Sequence, residues 1–181
     1  MTTALELDRE AQRRGLSSGF AATGQTGIMI SGRGVPVDRL ISDFTAGGVE
    51  ALVLEFTQEY DWVFVEGQGS LIHPAYSPVT LGLVHGAMPD MMILCHEAQS
   101  THIKAYDVPI PPLPRVIEIY EQAIAWLRPA PIVGIALNTY MLDEASALDE
   151  IRRAEAETGL PATDCVRFGA GKLIDALLAR A

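Results

Sequence analysis

The sequence predicts an α/β fold: a doubly wound, mainly parallel sheet with helices on both faces. Short apolar runs alternate with helical patterns along the 181 residues, and this alternation is typical of βαβ units. Two of the runs, residues 61–66 and 91–96, are almost uniformly apolar. Strands of that composition are expected to be covered on both faces, as in a parallel sheet.

The elements follow from hydrophobic periodicity and from end signals. Helix 2–14 ends at Gly15 and is followed by a strand over residues 19–23. A glycine-rich loop is predicted over residues 24–34, and then a helix over 37–55 that Gly47 and Gly48 weaken. Strands 61–66 and 91–96 follow. A rigid proline-rich connection, a helix, a strand and two helices complete the order, over residues 108–114, 115–127, 132–137, 143–158 and 169–180.

Composition narrows the function classes. A core-sized apolar fraction of 49% fits one domain over residues 1–181. The net charge of −10 argues against nucleic-acid binding, which needs clustered Lys and Arg. No apolar run approaches a membrane span or a signal peptide. Cys95 and Cys165 have no framework spacing, so reduced thiols and a cytoplasmic location are expected, and Cys95 is expected to be buried and inert.

The most informative motif is a strand that ends in a carboxylate and a glycine turn, Val65-Glu66-Gly67-Gln68-Gly69-Ser70. Ligands bind at the carboxyl ends of the strands in open α/β sheets. A charge there, beside glycines that let the backbone approach closely, predicts a phosphate or metal-phosphate site. The alternative is a carboxylate held only by the N–H groups of neighbouring turns.

Two further groups of polar residues are predicted near the same edge. Gln25 and Thr26 follow the strand over residues 19–23, where ordinary turn chemistry is the alternative. His73 precedes Pro74, so its backbone is extended. Its side chain is expected to act as a base, to donate a hydrogen bond to an anion, or to pack on Tyr76.

His96, Glu97 and His102 are expected to contact substrate, because His96 and Glu97 end a strand. Their spacing differs from the His-Glu-x-x-His of zinc peptidases, so no zinc is expected. The final Gly-x-Gly-Lys, at Gly169 to Lys172, lacks the spacing of a phosphate loop and is interpreted as a helix start.

Several segments together resemble a family catalogued as a domain of unknown function, which includes D-glutamate N-acetyltransferase and is similar to the dethiobiotin synthetase group of P-loop proteins. They are Met1 to Leu7, Ala22 to Gly27, Val65 to Tyr76, Leu94 to Ala98 and Thr101 to Ile103. The resemblance implies a P-loop NTPase-like fold. It also implies a first strand and a Gly-Lys phosphate loop before the residues that match Met1 to Thr3, so this sequence is expected to be shortened at that point.

The resemblance implies a set of roles. Glu66, His73 or His96 is the catalytic base, and Glu66 with Thr3 binds Mg²⁺ when the phosphate loop is present. The cofactor, acetyl-CoA or ATP with Mg²⁺, is bound by Thr2, Thr3, Gln25, Thr26, Gly67, Gln68, Gly69 and Ser70. Three functions stay open: a D-amino acid N-acetyltransferase, an ATP-binding domain and an inactive fragment. The expected partners are a small-molecule substrate and further copies of the chain, with no nucleic acid or membrane.

Overall fold

The computed structural model of the protein describes residues 1–181, which divide into two compact units, Met1–Pro89 and Asp90–Ala181. All strand pairs are parallel, and helices pack on both sides of the sheets, so the predicted α/β class is confirmed. The strands form two hydrogen-bonded sheets, of two and three strands, where the sequence analysis expected one. The single domain over residues 1–181 stays a prediction, and each unit is described by itself.

The first unit contains two strands, four helices and two short 3-10 turns. In chain order these are α1 (Thr2–Arg13), β1 (Ser18–Ala21), α2 (Gln25–Ser31), the turns Val37–Arg39 and Ser42–Phe44, α3 (Thr45–Phe56), β2 (Trp62–Val65) and α4 (Ser77–Ala87).

Helix α1 is fastened to β1 by a buried carboxylate. Asp8 accepts hydrogen bonds from the hydroxyl of Ser18 at 2.7 Å and from the side-chain amide of Gln12 at 3.1 Å. Asp8 is only 7% exposed, and a buried carboxylate needs such donors to offset its lost hydration. This contact fixes the position of α1 against the sheet.

Three local predictions in this unit are wrong. The glycine-rich loop contains α2, because glycine at its N-cap and C-cap bounds a short helix. The predicted helix over residues 37–55 begins only at Thr45, after the two turns. Helix α4 was not predicted, since Pro78, Gly82 and Gly86 obscure its periodicity. Gly86 permits close packing of α4 on α3, because a Cβ there would lie 2.2 Å from the carbonyl oxygen of Ala46.

The chain leaves β1 into α2 and then returns to the same strand. Gly34 bridges to Ala22 in parallel, and the N–H of Val35 donates to the carbonyl oxygen of Ala22 at 3.0 Å. Residues 23–33 therefore form an excursion with a closed base.

The second unit is a three-stranded sheet with three helices. Its elements are β3 (Met92–Glu97), α5 (Leu113–Ala125), β4 (Ile132–Asn138), α6 (Glu144–Thr158), β5 (Ala162–Thr163) and α7 (Gly171–Leu178). Strand β4 lies between β3 and β5. Helix α7 begins at Gly171 with Ala170 as its N-cap, so the interpretation of the final Gly-x-Gly-Lys as a helix start is confirmed.

Strand burial differs from the expectation. β1 is buried throughout and β4 in all but its last residue, whereas β2 and β3, predicted to be covered on both faces, are only partly buried. Cys95 in β3 is exposed, which contradicts the buried thiol expected there. None of the helices is long and apolar enough to cross a bilayer.

Candidate functional site

Glu66 is a buried carboxylate at the carboxyl end of β2. Its N–H donates to the carbonyl oxygen of Ala21 at 2.9 Å, which continues the strand ladder by one residue. The residue is 5% exposed. One carboxylate oxygen, Oε2, accepts hydrogen bonds from the backbone N–H groups of Thr23 at 2.9 Å and Gly24 at 3.0 Å. Gly24 is the N-cap of α2, so the negative charge lies at the positive end of that helix.

Gly27 makes room for this carboxylate. A Cβ at position 27 would lie 2.3 Å from Oε2 of Glu66 and 3.0 Å from the Cβ of Ala22. No side chain fits at the first distance, so glycine is required while the carboxylate keeps its position. The first turn of α2 is therefore shaped around Glu66.

The other oxygen of Glu66 faces the start of α1. Oε1 lies 3.8 Å from the main-chain nitrogen of Met1 and accepts no hydrogen bond from the two turn amides. Thr2 and Thr3 form the first turn of α1. The structure thus brings Glu66 beside the beginning of this helix, as the sequence analysis expected, while the roles of Glu66, Thr2 and Thr3 stay predictions.

Another buried carboxylate, Asp164, provides a comparison. Asp164 follows β5 and is 5% exposed. Its Oδ2 accepts from the N–H and hydroxyl of Thr139, and its Oδ1 accepts from the N–H groups of Val166 and Arg167. Both oxygens of Asp164 are engaged by the protein, so it is structural. Glu66 is hydrogen-bonded through Oε2 only, and its Oε1 forms an ion pair with the amino group of Met1 at 3.8 Å.

Burial opposes ionisation of the Asp164 carboxyl, but the hydrogen bonds from Thr139 and the two backbone amides outweigh burial. They hold the pKa of Asp164 below its ordinary value.

The loop after Glu66 presents backbone N–H groups. Those of Gly67, Gln68 and Gly69 donate to no acceptor within the chain, and Gly67 and Gly69 are exposed. Gly69 has a φ of +36°, and a Cβ there would lie 2.5 Å from the Cβ of Tyr76. The turn therefore requires glycine at position 69, and consecutive unpaired N–H groups in a turn are a donor type that can bind an anion.

Two threonines that sequence reasoning missed hold this loop in place. Thr23, fully buried, donates its hydroxyl to the carbonyl oxygen of Glu66 at 2.7 Å and accepts from the side-chain amide of Gln68 at 3.0 Å. Thr80 in α4 donates its hydroxyl to the carbonyl oxygen of Gln68 at 2.7 Å. Thr23 ends the segment around β1, but nothing in one sequence links it to residues 43 or more positions away.

The other predicted site residues of the first unit are either exposed or in contact with their own loop. Gln25 and Thr26 are exposed in the first turn of α2. The hydroxyl of Ser70 accepts from the N–H of Ile72 at 3.3 Å, an ordinary turn contact. His73 stacks on Tyr76 with ring centroids 4.4 Å apart, and its Nδ1 accepts from the N–H of Ala75 at 3.2 Å. For His73 the packing alternative therefore describes the observed contacts.

His96, Glu97 and His102 belong to the second unit. Burial, and then the charge of Arg153, lower the pKa of His96, although Glu157, Glu97 and Glu150 oppose the shift. His96 is therefore neutral at neutral pH.

His102 is exposed, 3.1 Å from the hydroxyl of Thr101 and 4.0 Å from Asp107. These contacts are with neighbours in its own loop. Its role as a substrate contact stays a prediction.

The oxygen donors at Glu66 and at the start of α1 are of the kind that a hard cation uses. No group of three or more His, Cys, Asp or Glu side chains could hold a metal by itself. Magnesium uses one or two carboxylates together with water and ligand phosphates. Glu66 through Oε1, with a threonine hydroxyl at the start of α1, supplies oxygen donors of that kind.

The chain is similar to a known protein family over most of its length. Residues 1–174 match the family model described as "Domain of unknown function (DUF1611_C) P-loop domain". The chain belongs to the DUF1611 family. This assignment confirms the family and the P-loop class that the resemblance implied.

Two curated proteins and one solved structure are similar to this chain. A D-glutamate N-acetyltransferase of Tritonibacter scottomollicae is 47% identical over 186 residues, covering 99% of this chain and 54% of the relative. One of Pseudoalteromonas sp. is 35% identical over 176 residues, covering 96% and 53%. A crystal structure of a DUF1611 family protein from Anabaena variabilis has a TM-score of 0.95 and 48% identity, covering 98% of this chain and 53% of the other. The chain spans about half the length of the curated relatives it matches.

Proposed function

We propose that this DUF1611 domain is part of an N-acetyltransferase, which transfers acetyl from acetyl-CoA to the amine of a D-amino acid such as D-glutamate. Two relatives at 47% and 35% identity are named D-glutamate N-acetyltransferase, and this supports the proposal. Because the chain spans about half of each relative, the activity is proposed for the whole protein to which the domain contributes. A small-molecule substrate, self-association and a cytoplasmic location belong to the same proposal.

The observation that carries the proposal is the hydrogen bonding of Glu66 through Oε2 only. Acyl transfer to an amine requires a base that removes the ammonium proton and donors for the oxyanion that develops on the carbonyl. Glu66 is held in place through Oε2, so Oε1 is the oxygen that accepts the proton.

Acetyl-CoA, when bound, supplies the acetyl group as a thioester. The donor set fits its anionic groups, because backbone N–H groups in a turn bind phosphate without a side-chain charge. In this proposal Gly67, Gln68, Gly69 and Ser70 with Thr26 bind those groups. The protein's own contribution is to orient the acceptor and hold its proton at Glu66.

A second function, binding of ATP with Mg²⁺, has its own supporting observation. Glu66 Oε1 lies beside a helix that begins with two threonines, and the family model is that of a P-loop domain. Thermal-shift titration with acetyl-CoA and with Mg-ATP separates the two functions, since a ligand that binds only the native state raises its apparent stability. Stabilisation by Mg-ATP alone would favour the second function.

The direct test is Glu66→Gln in an assay of acetyl transfer from acetyl-CoA to D-glutamate. Glutamine keeps an oxygen for the two turn amides but accepts no proton, so the rate is expected to fall by about 10²- to 10⁴-fold, the usual contribution of a general base. Asp8→Asn is the matched control, because Asp8 is also a buried carboxylate of the first unit and plays no part in the proposed chemistry. Wild-type activity in Glu66→Gln would remove Glu66 from the mechanism.

A further inference from the structure

A shallow pocket opens at the carboxyl ends of β3 and β4 in the second unit. It is lined by Glu97, Gln99 and residues 138–142 and has a cavity volume of about 40 Å³. That space accommodates one functional group of a ligand and not a whole coenzyme. The carboxyl ends of parallel strands are the usual edge for ligands in α/β sheets, and the Glu66 site does not include these residues.

The pocket places a hydrogen-bond acceptor beside a donor. Glu97 and Asn138 are directly paired in the β3–β4 ladder, and both are exposed. The hydroxyl of Ser100 donates to Oε2 of Glu97 at 2.9 Å, which leaves Oε1 as an acceptor. The N–H of Tyr140 donates to Oδ1 of Asn138 at 3.1 Å, which fixes the amide orientation and leaves Nδ2 as a donor.

The rim of the pocket carries two large apolar side chains on a fixed loop. Tyr140 is 81% exposed and Met141 is 73% exposed. The loop is nevertheless held at its base, because Thr139 donates its N–H at 3.0 Å and its hydroxyl at 2.6 Å to the buried Asp164. Arg167 donates to the carbonyl oxygen of Leu142 at 2.8 Å. A loop that is ordered in advance loses little entropy when it contacts a ligand.

We infer that this pocket binds a neutral planar group that presents an N–H donor beside an acceptor. Glu97 accepts from that N–H, Asn138 donates to the neighbouring acceptor, and Tyr140 and Met141 contact the flat face. A secondary amide and a heteroaromatic amine share this chemistry. If the proposed function holds, both are available in acetyl-CoA, as the pantetheine amides and the adenine ring, so the inference rests on that function for the ligand's identity.

The test is a binding measurement on the full chain with pantetheine, adenosine and D-glutamate as separate probes, followed by amide chemical shifts in nuclear magnetic resonance. Pantetheine or adenosine is expected to shift the signals of residues 97 and 138–142, and the probe that does so identifies the source of the group. The affinity for that probe is expected to fall by about tenfold in each of three variants, Glu97→Gln, Asn138→Asp and Tyr140→Ala. A tenfold loss is equivalent to about one hydrogen bond or aromatic contact.

Glu118→Gln is the control, because it removes an exposed carboxylate of the second unit that does not line the pocket. All four positions are exposed, and surface substitutions rarely affect folding. Binding of D-glutamate alone, unchanged affinities in the pocket variants, or no shifts at residues 97 and 138–142 would each overturn the inference.

The two proposals fail separately. Glu66→Gln is expected to slow acetyl transfer by about 10²- to 10⁴-fold and to leave probe binding at residues 97 and 138–142 unchanged. Probe binding without any acetyl transfer by the wild-type protein would reject the proposed function and retain the pocket. If acetyl transfer is unchanged in all three pocket variants and no probe shifts the signals, the pocket is rejected and the proposed function is retained.

Discussion

Gly27→Ala is expected to destabilise the first unit because it displaces the Glu66 carboxylate. The added Cβ would lie 2.3 Å from Oε2, so the carboxylate must move away from the N–H groups of Thr23 and Gly24. A hydrogen bond to a charged group contributes about 1.5–3 kcal/mol, and two are disrupted. Alanine in place of glycine returns about 1 kcal/mol of helix propensity. The free energy of unfolding is therefore expected to fall by about 2–5 kcal/mol.

Gly47→Ala is the matched control for this prediction. Gly47 is the third residue of α3, as Gly27 is the third residue of α2, and a Cβ at position 47 meets nothing within 4 Å. The same change there is expected to stabilise the protein by about 0.5–1 kcal/mol. Both variants are measured by urea unfolding with a common slope.

A double-mutant cycle identifies the cause of the loss. In a Glu66→Ala background the carboxylate is absent, so the cost of Gly27→Ala is expected to shrink by about 2 kcal/mol, a coupling typical of residues in contact. The 3.0 Å approach to the Cβ of Ala22 remains in both backgrounds. Equal costs in the two backgrounds, or a Gly27→Ala variant as stable as Gly47→Ala, would refute the reasoning.

Three further predictions concern buried polar groups. Thr23→Val is expected to lower the free energy of unfolding by about 1–3 kcal/mol and to slow acetyl transfer. Thr23→Ser is expected to retain both stability and activity, because serine keeps the hydroxyl bonded to Glu66. Equal effects of the two changes would show that the hydroxyl is not responsible. His96 has a lowered pKa, so unfolding is expected to become easier as pH falls below the ordinary histidine value of roughly 6.5. His96→Gln should lack this dependence in thermal unfolding between pH 7 and 5. Asp164 has a lowered pKa, so its contribution to stability is complete above the ordinary aspartate pKa and is lost as the pH falls through the lowered pKa. Asp164→Asn is expected to flatten the loss of stability at acid pH. An unchanged dependence of stability on pH would contradict the assignment.

The sequence was informative where chemistry and local pattern coincide. The apolar run before Glu66 and the glycines after it predicted a strand-end carboxylate, and the structure has one beside the start of α1. The α/β class followed from alternation alone. Asp143 was predicted to begin a helix, and its side chain does cap α6 by accepting from the N–H of Ser146.

Other features depend on distant contacts and could not be predicted. The requirement for glycine at position 27 arises from a side chain 39 positions away, and in the sequence Gly27 only suggested a loop. Thr23 and Thr80 gain their roles from hydrogen bonds to the loop around Gln68. Cys95 was assigned to the interior from its apolar neighbours, but burial depends on which elements pack against each face of a strand, and Cys95 in β3 is exposed.

The closed base of the excursion over residues 23–33 has a practical consequence for labelling. Because Gly34 bridges back to Ala22, extra residues at the far end of the excursion need not disturb the strand below it. Gly32 follows α2, is exposed and has no atom near a Cβ, and lengthening such a loop costs little closure entropy. An epitope or fluorophore-binding peptide inserted after Gly32 should leave the fold intact and report on ligand-dependent changes near Glu66.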